Sequence, residues 1–183
     1  MPRSGKSTVG RQLARRLDIP FVNSDHAIEQ RLGCSIREYF ERQGEARFRD
    51  VETEVLTELA QQGAGVLSTG GGSVLREQNR TLLRQSGRVF YLYASPQELF
   101  RRLRHDRHRP LLQVNDPLQR LKDLFDLRDP LYRAAAHHVV ESPRPSVGAM
   151  VQGVMQLLER PAEPDTALGV SAAQVAQAAP PSH

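Results

Sequence analysis

The sequence predicts an α/β fold in which a parallel sheet is covered by helices on both faces. Short apolar runs alternate along the 183 residues with segments whose apolar residues recur at helical spacing. The chain also opens with "SGKST", the end of a glycine-rich loop of the kind that joins a strand to a helix and holds phosphate. A chain of this length accommodates one hydrophobic core, so we expect a single domain over residues 1–160.

The predicted elements follow from local patterns in the sequence. Leu13 and Leu17 share one face of a helix that begins at the glycine–lysine turn. Ser35 and Glu38 form a capping box, which opens a helix that Gly44 interrupts before it continues to about residue 59. The other helices are expected at residues 25–32, 95–104, 116–133 (interrupted near Pro130) and 145–158, and the strands at 20–23, 65–69, 89–93 and 137–141.

Composition limits the classes of partner and of site. A net charge of +4 suits anionic partners, either nucleic acid or small phosphorylated ligands. Of the 25 basic residues only Lys6 and Lys122 are lysines, and Lys6 stands where a phosphate-binding loop needs one. Cys34 is the single cysteine, which excludes an internal disulfide and a cysteine-based zinc site. The chain has no apolar run that could span a bilayer and no signal-like start, so we expect a cytoplasmic protein.

The opening loop offers five consecutive residues for nucleotide binding: Ser4, Gly5, Lys6, Ser7 and Thr8. Backbone N–H groups at a helix N-terminus can cradle phosphate, the lysine can reach the terminal phosphates, and the serine hydroxyl can ligate magnesium. An ordinary capped helix start is the alternative, because the first glycine of the usual motif does not stand before this stretch.

Several further segments resemble the shikimate kinase family. They are "SGKSTVGRQLA", "FVNSDHAIEQRLG", "IREYFERQGEARFRDVE", "VLSTGGGSV", "RPLL" and "RDPLYR", and the match runs from Met1 to about Leu158. Gluconate kinases share the loop but not these elements as a set. The resemblance implies a three-layer α/β/α domain of the P-loop, nucleoside-monophosphate-kinase type, with substrate-binding helices at about 25–60 and a lid at about 104–117.

The resemblance also implies a reaction and its partners. ATP would donate its γ-phosphoryl group to the 3-hydroxyl of shikimate, with Mg2+ as the metal, in aromatic amino-acid biosynthesis. We expect a monomer with no nucleic-acid or membrane partner.

Two other functional classes stay open. One is a noncatalytic binding protein derived from a P-loop kinase, and the other is a nucleic-acid-binding protein, which the absence of interleaved aromatic residues disfavours.

Three side chains would form the acceptor site. In the family the residue at Asp25 holds the reacting hydroxyl and can take its proton, and arginines at Arg49 and Arg128 hold the shikimate carboxylate, which suits their planar fork. Each residue also has a structural alternative: an N-cap for Asp25, an exposed helix pair with Glu45 or Glu52 for Arg49, and a pair with Asp129 or nearby acids for Arg128.

Three glycines follow the strand predicted at residues 65–69. Gly70, Gly71 and Gly72 would let the backbone approach a ligand where any side chain would collide. By the resemblance, the ring hydroxyls of shikimate lie here, and Ser68 and Thr69 lie near the metal and the phosphates. Hydrogen bonding at the end of the strand is the alternative role for these two hydroxyls.

The stretch "FRRLRHDRHRP" is the densest basic run of the chain. A solvated helix face and a nucleic-acid patch are both possible roles for such a run. The resemblance instead implies a mobile lid, in which Arg109 swings over the phosphates to stabilise developing charge and Arg102 stacks on adenine. His105 and His108 lack a third ligand, so no metal site is expected there.

The sequence departs from the family pattern at two places. Asn23 stands where the family has the first aspartate of D-x-D, which helps to hold magnesium, so we expect weaker magnesium binding. The strand before the loop is absent, so we expect Met1 to be an internal residue of a longer protein. With the family strand order 2-3-1-4-5, we expect a gap between the strands at 65–69 and 137–141. Residues 161–183 are rich in alanine and proline and are expected to be disordered.

Overall fold

The structure, a computed structural model, describes residues 5–103, 116–141, 146–160 and 173–177. Within these ranges the helices are α1 (Gly5–Leu17), α2 (Ser24–Leu32), α3 (Ile36–Ala60), α4 (Glu77–Ser86), α5 (Pro96–Leu103), α6 (Pro117–Ala135) and α7 (Val147–Leu158). The strands are β1 (Phe21–Asn23), β2 (Val66–Ser68), β3 (Val89–Leu92), β4 (His138–Val140) and β5 (Ala173–Gln177). None of the described helices is long and apolar enough to cross a membrane.

The five described strands form one parallel sheet in the order β1-β2-β5-β3-β4. Helices connect the consecutive strands β1 to β4, as parallel pairing requires. The predicted α/β class with a parallel sheet is confirmed. Because the strands are parallel, the segments that leave their carboxyl ends gather at one edge of the sheet, which is where such folds bind ligands.

The predicted location of the gap in the sheet was wrong. The gap was predicted between the strands at 65–69 and 137–141. In the structure the central position lies between β2 and β3, and the strand at 138–140, β4, pairs with the other edge of β3. Strand β5 occupies this position and pairs in parallel with both neighbours. The inner edges of β2 and β3 carry backbone N–H and C=O groups that need partners, and β5 supplies them. Thus five residues of the segment expected to be disordered form a strand, and the remainder of 161–183 lies outside the described residues.

Two apolar layers cover the sheet, because side chains alternate between its faces. On one face, Phe90 and Leu92 pack with Leu13 of α1 and Val151 of α7. On the other face, Tyr91 packs against α6, and Leu67 and Val89 pack against α3 and α4. The three-layer arrangement follows directly from this alternation along β3.

Three features of the helices test the local predictions. Gly44 has φ 79° and ψ 171° inside α3, so the predicted interruption of this helix is confirmed. The predicted interruption near Pro130 was wrong, since α6 runs continuously through it to Ala135. A proline inside a helix removes one backbone donor and crowds the preceding turn, and the packing of Leu131 and the buried Tyr132 next to it offsets this cost.

Helix α4 was not predicted from the sequence. Its ten residues, "EQNRTLLRQS", contain only two large apolar side chains, Leu82 and Leu83, so the helical pattern is faint. The helix returns the chain from the glycine turn after β2 to the start of β3. It therefore forms the connection between the two strands that flank the centre of the sheet.

Candidate active site

The residues that were predicted to carry chemistry cluster at the carboxyl edge of the sheet. Strand β1 ends at Asn23 and runs directly into α2, and β2 ends at Ser68, just before the turn Gly70–Gly72. Hydrogen bonds and close contacts join these two connections to each other and to α1, α3 and α6.

Asp25 lies in the first turn of α2 but does not cap it. The N-cap is Asn23, whose side-chain Oδ1 accepts a hydrogen bond from the backbone N–H of His26 at 3.1 Å. The hydroxyl of the fully buried Ser24 accepts from the backbone N–H of Gly70 at 3.1 Å. A Cβ atom at Gly70 would overlap the Asp25 carboxylate and lie 3.3 Å from its Cγ. The capping alternative for Asp25 is therefore excluded, and its carboxylate faces the glycine turn.

Arg49 is buried in α3, with 6% of its surface exposed. Its Nη1 donates to Glu52 Oε2 at 2.7 Å, and its Nε and Nη2 donate to Glu45 Oε1 at 3.2 and 3.1 Å. The guanidinium lies over the rings of Phe40 and Phe48, with its Cζ 5.8 and 5.1 Å from their centroids. The acidic partners proposed for a surface pair are present, but the burial makes this pair unlike an ordinary surface salt bridge.

Glu52 was not predicted as a site residue, although it lies at the centre of this cluster. It is 2% exposed, and its second oxygen accepts from the Ser73 hydroxyl at 3.1 Å. Burial raises the pKa of Glu52, although the Arg49 guanidinium acts in the opposite direction. A Cβ atom at Gly72 would overlap the Arg49 guanidinium, 2.7 Å from its Cζ. The glycine turn and α3 are therefore fitted closely to each other.

Arg128 is equally buried on α6, with 6% of its surface exposed. Asp129 was the carboxylate expected to pair with Arg128 at the surface, but its two oxygens bind other groups. Asp129 Oδ2 accepts from Arg133 Nε at 2.7 Å, and Oδ1 accepts from the Tyr91 hydroxyl at 3.0 Å. The chain thus buries two arginines, one in α3 and one in α6, around the same turn.

Tyr132 connects the helix of Arg128 to that turn. Its hydroxyl donates to the backbone carbonyl of Gly71 at 2.6 Å, and Arg128 lies one turn earlier on α6. Burial raises the pKa of Tyr132 to about 12, although Arg128 opposes the shift, so the phenol is neutral at physiological pH. Arg128 and Tyr132 lie one helical turn apart in "RDPLY", a spacing that could have indicated that the two side chains share one face of α6.

The N-terminus of α1 brings Lys6 and Ser7 to the same edge. Both are buried, with 4% and 5% of their surfaces exposed. The Ser7 hydroxyl accepts a hydrogen bond from Asn23 Nδ2 at 2.9 Å. The hydroxyls of Ser68 and Thr69 are buried and have no hydrogen-bond partner within the described ranges. Buried hydroxyls without partners are costly, and those at the end of β2 adjoin the connections that form this site.

The remaining predicted residues are only partly described. Gly5 and Thr8 are exposed in the first turn of α1. Arg102 belongs to α5, but its side chain is not among the described parts of the chain. Ser4, Arg109 and the two histidines of the basic run lie outside the described residues. Within the described ranges, no group of three or more His, Cys, Asp or Glu residues could hold a metal.

Comparisons with known proteins agree with this arrangement. The family model for shikimate kinase matches residues 2–159. The chain is 58% identical to a shikimate kinase of Paracidovorax citrulli over 162 residues, covering 87% of this chain and 88% of that protein. It is 51% identical to one of Ralstonia nicotianae over 156 residues, covering 85% of this chain and 82% of the relative. Among solved structures, shikimate kinase from Acinetobacter baumannii in complex with shikimate has a TM-score of 0.77 at 45% identity, covering 84% of this chain and 86% of the other.

Proposed function

The chain belongs to the shikimate kinase family, and we propose the roles of the residues with which it transfers the γ-phosphoryl group of ATP to the 3-hydroxyl of shikimate. One observation supports these roles above the others. Asp25, Arg49 and Tyr132, which lies one helical turn after Arg128, all contact the single turn Gly70–Gly72. A small acceptor bound against this turn can therefore reach a carboxylate and two guanidinium groups together.

In this proposal the two arginines bind the carboxylate of shikimate. A guanidinium fork matches a carboxylate in geometry and charge, and burial reduces the screening of this attraction by water. The backbone of Gly70–Gly72 contacts the ring hydroxyls, and glycine at its two ends lets the Asp25 carboxylate and the Arg49 guanidinium lie directly against it. Asp25 accepts the proton of the reacting hydroxyl.

The nucleotide binds at the N-terminus of α1. The residues Ser4–Thr8 surround its phosphates, and Lys6 neutralises charge on the group in transfer. Phosphoryl transfer needs positioning and charge neutralisation more than covalent chemistry, and a buried lysine beside a helix N-terminus supplies both. Arg109 covers the phosphates and Arg102 stacks on the adenine, as the family resemblance implies.

Mg2+ fits the donor set around Ser7. This hydroxyl is buried at the phosphate-binding end of α1, and the buried hydroxyls of Ser68 and Thr69 lack partners in the described part of the chain. Oxygen ligands of this kind, together with phosphate oxygens and water, are those that Mg2+ prefers. When bound, the ion neutralises negative charge on the phosphates, and Ser7 holds it in place.

Asn23 would make this magnesium site weaker than an aspartate would. Its Oδ1 accepts from the backbone N–H of His26, so the group facing Ser7 is necessarily the uncharged amide Nδ2. We predict that Asn23→Asp tightens Mg2+ binding to the complex with ADP by about tenfold, because a negative charge is added beside the ion. Titration of the ADP-loaded protein with Mg2+ in a calorimeter measures this without turnover.

The matched control for this variant is Gln62→Glu. It also adds one negative charge, but at an exposed position just before β2, at the opposite end of the sheet from the site. Aspartate is as good an N-cap as asparagine, so α2 should be equally stable in Asn23→Asp. Equal Mg2+ affinities for the two variants would contradict the assignment of Asn23 to the metal site.

Substrate choice tests the proposed activity directly. We predict that the protein releases ADP from ATP when shikimate is present and that it ignores gluconate, because only shikimate offers a carboxylate and ring hydroxyls in the arrangement of the site. Coupled ADP-release assays with each acceptor measure this, and detection of shikimate 3-phosphate identifies the product. ATP binding without any shikimate-dependent turnover would favour the noncatalytic alternative. A monomeric state and a cytoplasmic location remain predictions from the sequence and the resemblance.

A further inference from the structure

The Tyr132 hydroxyl lies where the two halves of the proposed acceptor site meet. It donates to the carbonyl of Gly71 at 2.6 Å. The buried Arg128 lies one turn earlier on the same helix, and its positive charge acts to lower the pKa of the phenol. One hydrogen bond therefore links the helix that carries the carboxylate-binding arginine to the backbone of the glycine turn.

The two residues on either side of Gly71 contact other residues of the same site. Gly70 lies against the Asp25 carboxylate, and Gly72 lies against the Arg49 guanidinium. The carbonyl that Tyr132 binds is thus between the contacts of the proposed base and of the second arginine. A shift of this carbonyl would change the positions of both neighbours relative to Arg128.

The ring of Tyr132 is held in place independently of its hydroxyl. It is 1% exposed and stacks on Tyr91, with the ring centroids 5.0 Å apart and the planes at 22°. Tyr91 is itself fixed by its hydrogen bond to Asp129. The position of the ring therefore does not depend on its hydroxyl. The hydrogen bond of the hydroxyl to Gly71 can set the distance between α6 and the glycine turn.

We propose that Tyr132 is a positioning residue for shikimate, which holds Arg128 and the turn Gly70–Gly72 at the separation that lets one acceptor molecule contact both. This inference rests on the roles proposed above for Arg128 and the glycine turn. The residue does not touch the acceptor itself. It acts through the arginine that binds the carboxylate and through the backbone that binds the ring hydroxyls.

Replacement of Tyr132 by phenylalanine tests this role, because it removes one oxygen and retains the stacked ring. We expect Tyr132→Phe to raise both the KM and the Kd for shikimate by about tenfold, since the hydrogen bond that holds α6 to the glycine turn is lost. The Kd for ATP should be unchanged and kcat should fall by less than about threefold, because the nucleotide site and Asp25 are intact. Calorimetric titration with shikimate and with ATP, together with steady-state kinetics, gives all four values.

Tyr91→Phe is the matched control. It removes the other hydroxyl of the same stacked pair, which binds Asp129 and not the glycine turn. We expect both variants to lower the melting temperature, but only Tyr132→Phe to weaken shikimate binding. Equal shikimate affinities in the two variants, or a Tyr132→Phe protein that does not fold, would overturn the proposal in favour of a purely structural hydroxyl. Failure of the unmodified protein to bind shikimate would instead overturn the proposed function.

Discussion

Replacing Arg49 with alanine is expected to raise the KM for shikimate by about 100-fold, since two charge-assisted hydrogen bonds to its carboxylate are lost. The value of kcat should change much less, because these bonds are made before and during the reaction alike. The same change leaves Glu52 buried without its cation, which should lower the free energy of unfolding by about 3 kcal/mol. Steady-state kinetics and urea unfolding measure the two effects separately.

A second substitution separates substrate binding from stability. Glu52→Gln removes the buried charge, so the double variant Arg49→Ala/Glu52→Gln should regain part of the lost stability. It should not regain affinity for shikimate, because the guanidinium is still missing. If the double variant binds shikimate normally, Arg49 serves only to neutralise Glu52, and its role as a carboxylate ligand is wrong.

Local sequence patterns were sufficient to predict which strand ends bring the candidate site residues together. The connection after β1 holds Asn23 and Asp25, and the connection after β2 holds Gly70–Gly72, so parallel pairing alone brings them to one edge. What these residues bind required the family resemblance, since a phosphate loop and a glycine turn suit many acceptors. The arginines of α3 and α6 were distinguished from surface residues only by that resemblance.

The sequence did not predict which polar side chains of the site are buried. Glu52 lies three residues after Arg49, and the same spacing occurs in exposed helix pairs. This pair is buried because Ser73 and the glycine turn pack against α3. Likewise, the spacing of Arg128 and Tyr132 does not reveal that a carbonyl from another connection meets the phenol. Contacts between elements decide both cases, and periodicity within one helix cannot encode them.

The centre of the sheet shows the same limit. The segment Ala173–Gln177 is composed of alanine, glutamine and one valine, which does not distinguish a strand from an irregular tail. Its strand conformation comes from pairing with Val66–Ser68 on one side and Val89–Leu92 on the other. Backbone hydrogen bonds available at both edges can stabilise a strand whose side chains give little indication of one.

Asp25→Asn is expected to lower kcat by about a thousandfold, because an amide cannot accept the proton of the attacking hydroxyl. The Asp25 side chain lies so close to Gly70 that a Cβ atom on residue 70 would overlap it. Asparagine has nearly the same shape as aspartate, so it fits in the same space. Since Asn23 and not Asp25 caps α2, the helix should lose only the modest interaction of a charge in its first turn, about 0.5 kcal/mol. The shikimate Kd and the ATP Kd should therefore stay within about threefold of the original values.

Asp18→Asn provides the same chemical change at an exposed position beyond the C-terminus of α1, the opposite end of the helix from the site. It should leave kcat unchanged, which separates the loss of a reacting carboxylate from the general loss of one negative charge. Measurement of kcat by ADP release at saturating shikimate and ATP compares the two variants directly. A kcat for Asp25→Asn within about tenfold of the unmodified protein would be too small a loss for a general base. In that case the positions of Lys6 and the bound phosphates would have to account for the catalysis, and Asp25 would serve to orient the hydroxyl.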